Sequence, residues 1–307
     1  MEITNYKELI KERDSLRKNG LMAGIGIASC LEPSGGNSSF EPLLNSKNKT
    51  TTWMESCQLN IDASGTVTAR IHTTSSGQGH ETLVSTIVGE ILEIDPDEIC
   101  IARPNSIESL PGNSPVGSRM AIMLGGAAGK ASKKLKEKII IIAAHKLGFK
   151  KSELIYKKGS VFAPDGSSMS WDEIIEYSHR RIDQLPDGMD PGLASFDIMQ
   201  VPTGGNLPKD DKVHMYPCYS FEFHLVLLSF DPIICKPNIR SYTVGHDCGT
   251  VINPAIVSGM TYGGIAHGIG AALLEEFAYD DNGQLMTQSF LDYLIPSSHE
   301  VPEIKII

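Results

Sequence analysis

The sequence lacks paired cysteines, a long apolar run and an excess of basic residues, and each absence excludes a class of protein. Its six cysteines include no CxxC pair, and none lies near a histidine at zinc-finger spacing, so a zinc site is not predicted. Scattered thiols are typical of a reducing compartment. The longest apolar run, 139–144, is too short to span a membrane, and the first twenty residues contain no signal-peptide core. We therefore expect a cytoplasmic protein without a membrane span.

The charge balance argues against a nucleic-acid partner. The chain carries 27 Lys and Arg against 37 Asp and Glu, a formal net charge of −10. Phosphate backbones are held by clustered basic side chains. The one basic run, 130–138 (KASKKLKEK), is interpreted as the solvated face of a helix. With 307 residues, the chain is long enough for a large core.

Strand and helix patterns alternate along the first half of the chain. A charged amphipathic helix over 5–19 precedes a strand interrupted by glycines (LMAGIGIASCLE) and a polar loop over 33–52. Two alternating runs predict a hairpin over 55–72. A glycine-rich turn and helix (SSGQGHETLVSTIVGEILEI) and a turn and strand (DPDEICIARP) follow. This order is typical of mixed α/β structure.

The second half is predicted to begin with one long helix over 117–147, whose first part is rich in small residues. Residues 150–213 are predicted to form a short hairpin, a helix near 171–181 and a loop rich in Pro, Gly and Asp. Paired strands, a glycine-rich helix opened by Asn253 and Pro254 and running to Glu276, and a hairpin over 277–293 complete the pattern.

These patterns predict an α+β or mixed α/β fold with twisted mixed sheets and packed helices. Four parts are expected: an N-terminal helix over 1–22, a first α/β lobe over 23–149, a connection over 150–213 and a second lobe over 214–307.

Three segments place glycine or other small residues at the predicted start of a helix: 76–80 (SGQGH), 114–119 (SPVGSR) and 253–270. Backbone N–H groups in the first turn have no partner inside the helix and lie at the positive end of its dipole, so such a start suits an anion. Each alone is typical of a plain tight turn, but together they favour a long phosphorylated ligand. The glycines of the last segment require close packing against another backbone or a flat cofactor.

Standard nucleotide motifs fail when checked. Segments 77–82 (GQGHET) and 268–273 (GIGAAL) lack the third glycine of the dinucleotide fingerprint. Around Gly129 and Lys130, the first glycine and the Ser or Thr of a phosphate loop are missing. A nucleotide-binding protein of another kind is therefore the weakest hypothesis.

Six segments carry a more specific signal through their shared order and spacing: 24–28 (GIGIA), 77–82 (GQGHET), 117–119 (GSR), 242–254 (YTVGHDCGTVINP), 263–276 (GGIAHGIGAALLEE) and 292–296 (DYLIP). In these segments, and over nearly its whole length, the chain resembles the second half of the molybdopterin-binding large subunit of the xanthine oxidase and aldehyde oxidoreductase family of molybdenum hydroxylases.

The resemblance implies a molybdenum–molybdopterin cofactor, in its cytosine dinucleotide form, shared with a partner chain. It implies oxidative hydroxylation of an electron-poor C–H, as in an aldehyde or an N-heteroaromatic, with electrons leaving through 2Fe-2S clusters and FAD on an iron–sulphur subunit and an FAD subunit. No metal ligand in this chain is implied. The candidate cofactor-binding residues are Gly77, Gln78, Gly79, His80, Gly117, Ser118, Arg119, Gly264, His267 and Gly268.

Two departures from the family bear on function. His267 stands where the family commonly has Gln, and the general base, a Glu in a GVGE-like motif expected after residue 307, has no match. No residue of this chain is therefore predicted to be catalytic, and a partner is expected to carry the other half of the large subunit. The remaining glutamates are interpreted as structural or surface carboxylates: Glu55, Glu81, Glu222, Glu275 and Glu276.

Two hypotheses follow. The first is a cofactor-binding subunit that is incomplete alone; the second is a non-catalytic scaffold or remnant that keeps the fold and binds no cofactor. The intact GQGHET and GSR segments favour the first.

Overall fold

The computed structural model describes residues 4–36, 53–113, 115–200 and 216–307. The chain divides into a continuous unit, Pro33–Cys218, and a discontinuous unit formed by Met1–Glu32 and Tyr219–Ile307. The predicted mixed fold is confirmed, because mixed sheets occur with packed helices. The four-part division at 22, 149 and 213 stays a prediction. Ser114, most of the loop over 33–52 and the part of the later loop over 201–213 lie outside the described residues.

The elements are numbered in chain order. The helices are α1 Tyr6–Lys18, α2 His80–Leu92, α3 Met120–Leu147, α4 Trp171–Arg180 and α5 Pro254–Leu273. The strands are β1 Met22–Ser34, β2 Met54–Ile61, β3 Val67–Ile71, β4 Ile99–Ala102, β5 Ile155–Lys157, β6 Ser160–Phe162, β7 Ser168–Met169, β8 Leu193–Gln200, β9 Cys218–Asp231, β10 Lys236–Asp247 and β11 Ile304–Ile306.

The main sheet of the continuous unit has the order β4-β3-β2-β8. Strands β2 and β3 form the predicted hairpin, while β4 runs parallel to β3. Along β2 every second residue, Cys57, Leu59 and Ile61, is fully buried. Helix α3 packs on this sheet and against α2. The period-two pattern in the sequence therefore marks the strand face that the helices cover.

Small residues in the first half of α3 let its neighbours approach closely. A Cβ at Gly125 would lie 2.9 Å from Ile87 Cδ1 of α2, and one at Gly126 would lie 2.9 Å from Met199 Cγ of β8. Glycine inside a helix costs up to about 1 kcal/mol relative to alanine. Here the absence of a side chain is what allows α3 to pack between α2 and the sheet.

Strand β8 was missed in the sequence, where this stretch was predicted to be loop. It pairs antiparallel with β2 along its whole length, from Leu193 opposite Ile61 to Gln200 opposite Met54. Two of its inward positions are polar: Ser195 Oγ donates to Ala131 O (2.8 Å), and Asp197 pairs with Lys134 Nζ (2.9 Å). Polar contacts with α3 replace the apolar alternation that identifies a strand in a sequence.

A small sheet, β5-β6-β7, and helix α4 complete the continuous unit. The predicted hairpin and helix are confirmed here. The Ser170 side chain caps the Glu173 N–H of α4, and the Glu173 carboxylate accepts from the Ser170 N–H (2.8 Å). This reciprocal capping box explains why α4 begins at Trp171.

The discontinuous unit is built on a second mixed sheet of order β1-β9-β10-β11. Leu9 of α1 packs with Leu225 and Leu227 of β9, whereas Ile265 and Ile269 of α5 pack with Val244 of β10 in a separate cluster. Because adjacent residues of paired strands alternate in face, α1 and α5 cover opposite faces of this sheet.

Two predicted boundaries and one predicted hairpin are wrong. Helix α3 begins at Met120 rather than 117, and α5 ends at Leu273 rather than 276. Residues 277–293 form no strand, only one antiparallel bridge between Tyr279 and Leu285. The turn itself is present, with Gly283 at φ 79° donating to Asp280 O. Phe277 and Tyr279 remain about 60% exposed, and Phe277 packs on the ring of Tyr293 (centroids 4.9 Å apart) rather than in a core that would extend the bridge.

Across the described ranges, no helix combines the length and hydropathy needed to cross a bilayer. Within the same ranges, no group of three or more His, Cys, Asp and Glu side chains is placed to hold a metal ion.

We expect one of the six thiols to react slowly in the folded, isolated chain. Burial raises the pKa of Cys57 to about 12, so its reactive thiolate is negligible at pH 8, whereas the other five cysteines are exposed. Titration with a chromogenic disulfide reagent should therefore show five fast thiols and a sixth that reacts only on unfolding. Cys57→Ala should remove the slow phase alone. Six fast thiols in the folded wild-type chain would contradict the placement of Cys57.

Candidate cofactor site

In the glycine-rich turn before α2, side chains of the turn hydrogen-bond to its own backbone. Gly77 and Gly79 have φ of 109° and 71°, a conformation that residues with a Cβ rarely adopt. Ser75 Oγ accepts from the N–H groups of both glycines, at 3.2 and 2.7 Å. Gln78 Oε1 accepts from the Ser76 N–H at 2.5 Å. The sequence SGQG therefore folds into a rigid turn whose amide oxygen at Gln78 is already used.

The start of α2 offers backbone donors. Its N-cap is Gly79, which has no side chain to cap the first turn, so the N–H groups of that turn have no acceptor within the helix. A Cβ at Gly77 would meet no atom of the described residues within 4 Å. The carboxylate of Glu81 lies nearby but is paired with Arg103 Nε at 3.1 Å. This end of the helix suits an anionic group.

His80, the first residue of α2, is the strongest sign of a ligand at this turn. Its side chain is 4% exposed, and among the described residues its buried Nδ1 has no hydrogen-bond partner. A buried polar atom without a partner costs about 1–3 kcal/mol. The uncapped helix start, the open space at Gly77 and the unsatisfied Nδ1 together fit a polar, anionic cofactor group.

A second turn precedes α3. Gly117 and Ser118 both have left-handed backbones, with φ of 66° and 48°, and both are exposed. Their carbonyls accept from Gly36 N–H (3.1 Å) and Gly35 N–H (3.0 Å). A Cβ at Gly36 would lie 3.3 Å from Gly117 O, so two glycines permit this close backbone approach.

Arg119, the N-cap residue of α3, points into the protein. Its side chain is fully buried; Nη1 bonds Glu55 Oε1 and Nε donates to Gly36 O at 3.2 Å. Glu55 Oε1 also accepts from the Asn113 N–H at 3.0 Å. This geometry supports a positioning role, in which Arg119 holds the Gly117–Ser118 turn in place. Its role as a direct phosphate donor stays a prediction.

The third candidate segment presents a helix face rather than a helix start. Asn253 Oδ1 accepts from the Ile256 N–H (3.1 Å), so α5 is capped by its own side chain as predicted. Gly264, His267 and Gly268 lie on one exposed face. Cβ atoms at Gly264 and Gly268 would meet nothing within 4 Å, so among the described residues no backbone packs on them.

The ten candidate residues thus occupy three surfaces. One turn holds residues 77–80 and another holds 117–119, both in the continuous unit. The helix face with Gly264, His267 and Gly268 belongs to the discontinuous unit. The role of each residue toward a cofactor stays a prediction.

A network of titratable side chains on β9 and β10 was not identified in the sequence. Glu222 Oε1 lies 2.7 Å from His246 Nδ1, and Glu222 Oε2 lies 3.3 Å from His224 Nε2. His224 Nδ1 in turn lies 3.1 Å from the Tyr242 hydroxyl. Burial, and then the charge of Glu222, raises the pKa of Tyr242. Only the register of the two strands brings these four residues together.

Comparison with known proteins gives a consistent match. Residues 1–302 match the family model of the molybdopterin cofactor-binding domain. The chain is 27% identical over 307 residues to the nicotine 6-hydroxylase large subunit of Paenarthrobacter nicotinovorans, covering 99% of this chain and 36% of that protein.

Two further similarities agree with this match. A second Paenarthrobacter nicotinovorans protein, 6-hydroxypseudooxynicotine dehydrogenase complex subunit gamma, is 30% identical, with coverage of 99% and 35%. The crystal structure of quinoline 2-oxidoreductase from Pseudomonas putida 86 superposes with a TM-score of 0.83 at 28% identity, covering 100% of this chain and 37% of that one. The chain spans about a third of the length of these proteins.

The buried Glu55–Arg119 pair generates a stability prediction. Arg119→Ala should lower the free energy of unfolding by about 3–5 kcal/mol in urea titrations, because it leaves the Glu55 charge buried without its partner. The double variant Glu55→Gln/Arg119→Met should be less destabilised than the sum of the two single variants, since neither charge then remains.

The matched control is Arg70→Ala, which removes an ion pair with Glu108 at the surface and should change stability little. Equal effects of Arg70→Ala and Arg119→Ala, or strictly additive single variants at 55 and 119, would argue against the buried pair.

Proposed function

The chain belongs to the molybdopterin cofactor-binding domain family, and on that premise we propose that it holds the cofactor of a molybdenum hydroxylase large subunit. The observation that carries the proposal is the uncapped start of α2, where the buried Nδ1 of His80 has no partner among the described residues. A domain of this family with an unsatisfied buried donor or acceptor at an anion-binding helix start fits a cofactor-bearing protein better than an empty scaffold.

Each candidate residue has a specific part in binding. The first-turn N–H groups of α2 would contact anionic cofactor oxygens, which the absence of side chains at Gly77 and Gly79 lets approach. Gln78 would contribute its amide nitrogen, since its oxygen is used. Ser118 and the Gly117 backbone would bind at the second turn, positioned by Arg119. Gly264 and Gly268 would let a flat group approach α5 beside His267.

When bound, the molybdenum cofactor supplies the redox chemistry of oxidative hydroxylation at an electron-poor C–H carbon. We propose that this chain supplies no general base for that reaction. Glu55 is paired with Arg119, Glu222 lies against two histidines, and Glu275 accepts from the Tyr293 hydroxyl at 2.6 Å. In the fold each of these three carboxylates already bonds a neighbouring side chain, which supports a base supplied from outside this chain.

The base and the rest of the substrate pocket would then come from elsewhere. The chain spans about a third of its relatives' length, which supports a partner that carries the remaining part of the large subunit. We also propose an iron–sulphur subunit and an FAD subunit as the path for electrons. One relative is by name the gamma subunit of a dehydrogenase complex, which supports a multi-subunit assembly.

For the substrate, we propose an N-heteroaromatic compound. Nicotine and quinoline, named in two of the similar proteins, are both N-heteroaromatic, which favours this class over aldehydes. We further propose the cytosine dinucleotide form of the cofactor. A cytoplasmic location is supported by five exposed cysteines without disulfides, which suit a reducing compartment.

The first test is to measure molybdenum and acid-releasable cytidine monophosphate in the native complex from a molybdenum-replete culture. We expect near-stoichiometric amounts of both per chain. Molybdenum without the nucleotide would exclude the dinucleotide form. Absence of both from a folded complex would favour the non-catalytic scaffold.

A second test addresses the turn before α2. Gly79→Asp should reduce cofactor content in the purified complex to background, because its carboxylate would repel an anion at this helix start. Gly79→Asn should retain more cofactor, since Asn has the same size and tolerates the left-handed backbone but carries no charge. The left-handed backbone at residue 79 strains Asp and Asn alike, so the difference between the two variants reports the charge.

Gly148→Asp is the control for backbone strain. Gly148 follows the C-terminal end of α3, its φ is 73°, and a Cβ there would meet no described atom within 4 Å. It should leave cofactor content unchanged. Full cofactor content in a folded Gly79→Asp complex would show that this turn does not bind the cofactor.

A further inference from the structure

One face of the β1-β9-β10-β11 sheet is only half covered. Under α1, Ile25 of β1 packs with Leu225 and Leu227 of β9 in a cluster that includes Leu9. This cluster buries the part of the face nearest the β9–β10 turn. Helix α1 does not cover the rest of the same face.

Beyond α1 the face is apolar and exposed. Side chains alternate along a strand, so Ile27 and Leu31 share the face of Ile25, and Phe221 and Phe223 share the face of Leu225. Their exposed fractions are 58% for Ile27, 55% for Leu31, 56% for Phe221 and 40% for Phe223. Isolated exposed apolar residues are common, but a contiguous apolar group marks an interaction site.

The two strands place these four side chains beside one another. Ile25 contacts the cluster of Leu225 and Leu227, whereas Ser34 O lies 3.8 Å from Cys218 Sγ. These two contacts require β1 and β9 to run antiparallel. Ile27 and Leu31 therefore lie alongside the segment that contains Phe221 and Phe223.

Strand β1 is also an edge strand in the part of the chain that the structure describes. It is 13 residues long, and its sequence MAGIGIASCLEPS contains no Lys or Arg and no Pro before residue 33. Proteins usually protect such an edge with basic residues, proline or a covering element. A long edge with no basic residue and a single acidic one, Glu32, beside an exposed apolar face is suited to a second polypeptide.

We propose that the Ile27–Leu31–Phe221–Phe223 face and the β1 edge form the docking surface for the polypeptide that completes the large subunit. This inference rests on the proposed function. The occupant follows from length, because the relatives contain about twice as much additional chain as this protein supplies. A second copy of the same chain is a weaker candidate, since each copy carries a net charge of −10.

The experiment uses a defined partner. The probe is the protein of the same source whose sequence matches the part of the nicotine 6-hydroxylase large subunit that this chain leaves unmatched. It is co-expressed with the tagged full chain, and its retention and dissociation constant are measured. Phe221→Lys and Ile27→Lys should each weaken binding about 30-fold, as expected for a residue at the centre of an interface.

The variants are chosen to preserve the fold. Both side chains are more than half exposed, and Phe221 pairs across the sheet with Asp247, so a lysine there meets an opposite charge. The control is Ile233→Lys in the β9–β10 turn, where the side chain is 90% exposed. It adds the same charge to the same sheet and should leave binding unchanged. Hydrogen–deuterium exchange on the wild-type complex should show amide protection over 24–31 relative to the isolated chain.

The outcomes separate the two proposals. Unchanged affinity of Phe221→Lys and Ile27→Lys, or no protection over 24–31, would overturn the docking surface even if the complex contains molybdenum. A wild-type chain that forms a dimer by light scattering, dispersed by the same two variants, would assign the face to a second copy instead. If Phe221→Lys and Ile27→Lys lose partner binding while the wild-type complex contains no molybdenum, the docking surface is supported and the proposed function is rejected.

Discussion

The buried ion pair between Glu55 and Arg119 fixes the region on which the candidate site depends. Neither side chain is exposed, so each charge requires the other to remain in the interior. Through Gly36 O and the Asn113 N–H, the pair also joins the end of β1, the loop before α3 and the start of β2. The exposed turn at Gly117 and Ser118 therefore keeps its position without any side chain of its own in the core.

Several charged side chains are bonded to partners within the fold, whereas the candidate surfaces present backbone groups. Its buried arginine and the glutamates at 55, 222 and 275 all have partners in the fold, whereas the two turns and the α5 face expose glycines and the start of α2 offers N–H groups. Backbone donors can hold an anionic, flat group without taking part in proton transfer. This distribution suits a chain that holds a cofactor while a partner carries out acid–base chemistry.

Local signals predicted most of the fold. Alternation identified the β2–β3 hairpin, Asn253 and Pro254 marked the start of α5, and glycines marked the turns that require positive φ. The missed strand, β8, has polar inward residues whose partners lie on α3, far away in the chain. The hairpin expected over 277–293 is reduced to one bridge, because its apolar side chains Phe277 and Tyr279 stay largely exposed.

The sequence by itself determined the family, the starts of α4 and α5 and the turns at glycines, because these depend on short segments and on backbone conformations that neighbouring residues impose. Only the tertiary structure decided that Arg119 faces inward, since its acceptor Gly36 is 83 residues away. It likewise decided that His80 Nδ1 is buried without a partner among the described residues, and that Phe221 is exposed while Leu225 on the same face is covered. Burial depends on which distant segments pack over a residue, and no local pattern contains that information.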